Sequence, residues 1–152
     1  MFDTFRGLPV HVLVVHAVVV LTPLMAVLTA LVAWLPRWRA KVAWLVVVGN
    51  VVVVVLVKVA QLSGNQLLGR IGSSPAIEHH LKLGDQMLWF ALAMLAASVL
   101  VALARNSSAP LPTAAAVIAV VASLAAIGWV IRTGEAGSNA VWKDIIANTN
   151  PK

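Results

Sequence analysis

Four histidines carry most of the chemistry this chain can offer: His11, His16, His79 and His80. An imidazole nitrogen can ligate haem iron or a metal ion, and it titrates close to neutral pH. There is no cysteine. Disulfides, thiolate metal sites, iron–sulfur clusters and haem attached through paired cysteines are therefore excluded. His11 and His16 open the first long apolar segment, and His79 and His80 just precede the third. If the segments cross a membrane in alternate directions, all four histidines come to one face. The polar end of the fourth segment, Arg132-Thr133-Gly134-Glu135-Ala136-Gly137, joins them there. The opposite face offers arginine, lysine, tryptophan and a Ser-rich turn.

The composition requires those crossings. Of 152 residues, 61% are hydrophobic and 11% charged, with a mean hydropathy of +0.96. A water-soluble domain carries roughly 25% charged residues. The apolar residues also come in long runs, so the solvent for most of this chain is lipid. The length suits one domain with no separate soluble module. A net charge of +6 with a pI near 11 would elsewhere point to nucleic acid. Here the cations flank apolar spans, where they anchor helix ends, and no basic stripe interleaves with aromatics; nucleic acid is not an expected partner.

The pattern predicts four membrane helices, over residues 10–34, 42–62, 81–104 and 112–131. Five consecutive valines, Val51 to Val55, would read as a strand in water. In lipid an isolated strand leaves its backbone unpaired, so a helix is expected. Ser63-Gly64-Asn65 reads as the end of the second span. Ser74 is an expected N-cap, with Pro75 opening a third helix that projects beyond the lipid and carries His79 and His80 on the projection. Arg105-Asn106-Ser107-Ser108-Ala109-Pro110 reads as a turn. After Gly134 and Gly137 a short interfacial segment carries Trp142. The fold class is thus an all-α integral membrane four-helix bundle with up-down topology. No period of 20–50 residues repeats.

Arg37, Arg39 and Lys41 crowd one short hairpin and Arg105 sits in the other turn on that side, with no acid beside them. By the positive-inside rule that face is expected to be cytoplasmic and the histidine face, with both termini, extracytoplasmic. Arg6, Lys58, Arg70, Lys82, Arg132, Lys143 and Lys152 lie on the histidine side, spread over longer segments.

Depth and helical phase separate the candidates. His16 is five residues past His11, deeper and about 140° around the helix, so it is expected to face the bundle interior and to need a partner. His80 begins a face continued by Gly84 and Met87; His79 points away from it. His11 matches His80 in height. Asn50 is expected to hydrogen-bond between helices in mid-membrane. An Asp85–Arg132 or Glu135–Lys58 ion pair is the ordinary expectation for those charges. Ser63, Asn65, Asp85, Arg132 and Trp142 form the expected polar network near the histidines. No nucleotide-binding glycine loop, H-E-x-x-H or G-x-S-x-G motif is present, so a non-enzymatic role is expected.

Gly7-Leu8-Pro9-Val10-His11, with His16 in Val14-Val15-His16-Ala17, resembles the opening of the domain of unknown function 2231 family, small four-span bacterial membrane proteins that typically begin L-P-x-H-P-x-x-V-H. The resemblance continues in Ser63-Gly64, in Ser74-Pro75 with His80 and Leu83-Gly84-Asp85, and in Gly134-x-x-Gly137-x-x-Ala140-Val141-Trp142. It covers essentially the whole chain and implies the four-span fold and a place in a bacterial inner (cytoplasmic) membrane. Val12 stands where the family often has proline, and Glu135 where many members have histidine in G-H-S-G. The reading taken forward is a haem b or divalent-metal site built from His11 or His16 with His80, joined by Glu135 for a metal, serving membrane electron transfer. The alternative is an accessory subunit of a larger membrane complex. The expected partners are the lipid bilayer and either other membrane subunits or further copies of the chain.

Overall fold

The computed structural model describes residues 4–5, 7–107 and 110–149. Arg6, Lys152 and the Ser108-Ala109 part of the expected turn lie outside them. A two-residue antiparallel pair, β1 (Thr4–Phe5) with β2 (Leu8–Pro9), leads into α1 (Val10–Trp34). Then follow α2 (Pro36–Ile71), α3 (Pro75–Leu103), a short 3-10 turn at Ala104–Asn106, and α4 (Leu111–Thr149). Among the described residues, these four helices are long and apolar enough to cross a membrane. The valine run is helical, as lipid demands. Ser74 caps α3 by accepting from the Ile77 amide, and Pro75 follows it.

Two helix ends differ from expectation for one physical reason. α2 does not stop at Ser63-Gly64 but runs on to Ile71, and α4 passes through Gly134 and Gly137 without a break. The segment around Trp142 is the last part of that same helix. Gly64 and Gly137 are seats for side chains of neighbouring helices, not breakers. The Ser63 hydroxyl donates to the Val59 carbonyl one turn back (2.8 Å) and so stays within the helix. Consequently the connection on the histidine side is only the stretch Gly72 to Ser74, with Gly72 at φ +78° making the turn.

Each helix packs against two neighbours: α1 and α3 both lie between α2 and α4, and the diagonals meet little. The core holds Val18, Met25, Val53, Met87 and Met94. In mid-bundle the fully buried Asn50 donates its amide to Thr29 Oγ1 (3.0 Å), tying α2 to α1.

The two hairpins repeat each other. Residues of α1 and α3 that are 69 positions apart share roles: His11 and His80 at the rim, Met25 and Met94, Thr29 and Ser98, Val32 and Val101 in the core. For α2 and α4 the offset is 73. It matches Ala43 with Ala116, Asn50 with Ser123, Val53 with Ala126 and Val57 with Val130, all buried. Both hairpins enter from the same side, so they are related by an axis along the membrane normal. A period near 70 residues escapes any search at 20–50.

The chain has no cysteine, so single introduced thiols report topology cleanly. Ser73→Cys, in the exposed α2–α3 turn, should react with a membrane-impermeant maleimide from one side. Ala40→Cys and Ser107→Cys should react only from the other. Labelling of all three from one side would rule out the four crossings.

Candidate functional site

His11 is the second residue of α1 and His80 lies in the second turn of α3. Their helices are diagonal in the bundle, yet the two rings meet at its rim, 6.3 Å between centroids with planes inclined at 74°. Each ring is fixed by the other helix of its own hairpin. His11 Nδ1 lies 2.9 Å from the Ala60 carbonyl of α2, and His80 Nδ1 lies 3.0 Å from the Thr133 carbonyl of α4. A carbonyl can only accept, so Nδ1 must donate in both rings. In the neutral form of each imidazole that leaves Nε2 with its lone pair uncommitted.

Four residues beyond each accepting carbonyl is a glycine, one turn along on the same helix face. A Cβ on Gly64 would stand 3.0 Å from His11 Cε1, and a Cβ on Gly137 would stand 2.9 Å from His80 Cε1. Glycine is required at both places for close approach of a ring, not for backbone freedom. The two half-sites correspond: Ala60 and Thr133 are 73 positions apart, as are Gly64 and Gly137.

Between the rings and below them lies a cavity of about 70 Å³. Its lining is mostly apolar, with Val15, Val57, Met87 and Val130 toward the membrane. Gln61 also lines it and donates to the carbonyls of Gly84 (3.1 Å) and Asp85 (3.2 Å), joining α2 to α3. Asn65 and Asp85 line it while exposed, and mark where it opens. Ser63 Oγ stands 3.5 Å from His11 Nδ1. Thus His11, His80, Ser63, Asn65 and Asp85 of the expected set do come together.

The others do not. His16 is exposed on the outer side of α1, its Nδ1 2.6 Å from the Val12 carbonyl of its own helix. The 140° rotation from His11 carries it out of the bundle, because His11 takes the inward face. Glu135 is also exposed. It lines a separate cavity of about 190 Å³ on the α3–α4 flank, with His79, Arg132 and Asn139. Trp142 is exposed farther along α4. The ion pairs expected of Asp85 and Glu135 do not form. Lys58 Nζ donates to Gln61 Oε1 (3.3 Å), and the Arg132 guanidinium lies over the Trp129 ring, 5.3 Å from its centroid. Trp129 is itself stacked on Phe90 at 4.5 Å and donates its indole N–H to the Leu83 carbonyl (3.0 Å), fixing α4 to α3 next to His80. Sequence reasoning missed the roles of Gly64, Gly137, Ala60, Thr133 and Trp129. The available signal was a glycine four residues after a small or polar residue, at matching ends of α2 and α4.

Among the described residues, no group of three or more His, Cys, Asp or Glu side chains could hold a metal ion together. The histidine pair is a two-donor arrangement.

The family model described as predicted membrane protein (DUF2231) matches residues 7–150, and the chain belongs to that family. The match spans α1 to α4 and both half-sites. No curated protein and no solved structure matches the chain.

The glycine seats can be tested directly. Gly64→Ala and Gly137→Ala should each lower the thermal midpoint in detergent, in line with the roughly 1–3 kcal/mol cost of overpacking. Gly69→Ala, where an added Cβ meets nothing within 4 Å, should be neutral or stabilising by up to about 1 kcal/mol. Equal behaviour of the three variants would refute the seat role.

Proposed function

We propose that the rim site holds a single transition-metal ion between Nε2 of His11 and Nε2 of His80. The bundle then acts as a membrane metal-binding module in surface redox exchange. One observation carries this reading: two imidazoles, each pinned at Nδ1 and each left with a free Nε2, meet at 6.3 Å between centroids. Two imidazoles that line one cavity, each with an acceptor nitrogen to spare, suit an electrophile. A metal–imidazole bond is about 2.0–2.1 Å, so rings with centroids 6.3 Å apart are within reach of one shared ion once their Nε2 atoms turn toward it. A backbone carbonyl bonded to the second ring nitrogen is also the usual support for a ligating histidine.

The donor set narrows the ion. Imidazole serves copper, zinc, iron and nickel. Two neutral donors in an apolar cavity bring no negative charge to balance a dication, and the nearest candidate, Asp85, is exposed. A monovalent ion content with two donors, Cu(I), suits the pair best. Haem b has less support: organic-ligand pockets run to roughly 300–1,000 Å³, against about 70 Å³ here. The basic turns at the opposite end, Arg37, Arg39, Lys41 and Arg105, support an extracytoplasmic rim site.

Purified protein incubated with Cu(I) or its analogue Ag(I) should retain about one ion per chain after desalting. His11→Ala and His80→Ala should each abolish retention; His16→Ala and His79→Ala should leave it intact. A Soret band in the purified protein would favour haem instead. Retention that survives both rim substitutions, or is absent in the wild type with every metal tried, would refute the site.

A further inference from the structure

The opposite end of the bundle has a second cavity, which the histidine site does not use. It measures about 290 Å³ and lies between the end of α1, the start of α2 and the start of α4. Trp34, Arg39, Ser107 and Thr113 line it among apolar and proline residues. The sequence sets Arg37, Arg39, Lys41 and Arg105 around this end, while Glu78, Asp85 and Glu135 lie in the parts of α3 and α4 at the histidine end. Among the described residues, no acid lies in the turns at this end.

Arg39 is the informative residue. Its Nη1 donates to the Ala33 carbonyl at the end of α1 (3.3 Å), which holds the guanidinium against the cavity. Its Nε is buried and has no hydrogen-bond partner. The Arg39 side chain lines the cavity, and phosphate is the anion whose geometry suits a guanidinium fork. The N-terminal ends of α2 and α4, both on the cavity, add positive dipole ends. Trp34 and Trp38 are exposed beside it, in the position of an interfacial aromatic belt. An occupant here must be anionic at one end and lipid-soluble at the other.

We propose that this cavity seats the phosphate headgroup of an anionic phospholipid, with Arg39 as its principal ligand and Ser107 and Thr113 as hydroxyl donors. The lipid acts as a clasp between the two interhelical turns.

The test compares full-length protein in nanodiscs of phosphatidylcholine alone with nanodiscs that also contain phosphatidylglycerol. For each variant the readouts are the phosphatidylglycerol-dependent gain in thermal midpoint and the phosphatidylglycerol retained on transfer to detergent. The wild type should show a gain. Arg39→Gln should lose it and retain lipid about fivefold less tightly, as expected for one arginine at an anionic surface. Arg37→Gln removes the same charge from an exposed position outside the cavity and should keep most of the gain. Thr113→Val should reduce the gain, and provides the contrast with Arg37→Gln if Arg39→Gln does not fold. Equal losses in Arg37→Gln and the cavity variants would reveal diffuse charge attraction and overturn the proposal. So would no gain in the wild type, or equal protection by inorganic phosphate in phosphatidylcholine discs.

Discussion

Everything at the histidine rim depends on one interaction made twice: an imidazole N–H donating to a backbone carbonyl of the adjacent helix, with the ring resting on a glycine one turn further along. A single hydrogen bond between membrane helices averages only about 0.6 kcal/mol. Its value here lies in what it fixes. It sets the rotation of α1 against α2 and of α3 against α4, holds each ring in one tautomer, and leaves the opposite nitrogen free. Ring and glycine are complementary, since a methyl group at either seat would displace the ring. Gln61 then locks the two hairpins together through two α3 carbonyls, and Trp129 fastens α4 to α3 within the second hairpin.

The repetition of this unit explains the form of the site. Each hairpin brings one histidine, one accepting carbonyl and one glycine to the same height. Joining two such hairpins in parallel puts the histidines opposite one another near the axis. Departures from symmetry fall at the cavity wall, where Gln61 of α2 corresponds to Gly134 of α4, and Val15 of α1 to Gly84 of α3. In the core, Asn50 and Ser123 occupy equivalent buried positions, but Asn50 is the one that reaches across to Thr29.

Much of the fold was legible from composition. Long apolar runs in a chain with few charges admit helices across lipid and little else, and Ser74-Pro75 marked the start of α3 to the residue. Membership of the family was legible in short motifs at the span ends. What misled was glycine. Ser63-Gly64 and Gly134 to Gly137 look like helix ends because in water glycine most often ends helices; in a membrane bundle small residues mark close approach instead. Of the site, His11 and His80 were legible as rim residues of equal height. The outward direction of His16 needed rotational phase, which an apolar run such as the one around it leaves undetermined: valine covers every face of α1 near His16. Glu135 was drawn in by its place in a motif, but one-residue steps of 100° separate it from Gly134 and send it to the flank.

The most direct test is the nitrogen-15 chemical shift of the histidine side chains in labelled protein, assigned by His11→Ala and His80→Ala. The expected result is that both rings carry their proton on Nδ1 in the metal-free state, and that both Nε2 signals move together on addition of one equivalent of Cu(I) or Ag(I). Protonation at Nε2 in either ring, or a metal response in His16 or His79 while His11 and His80 stay unchanged, would contradict the paired site.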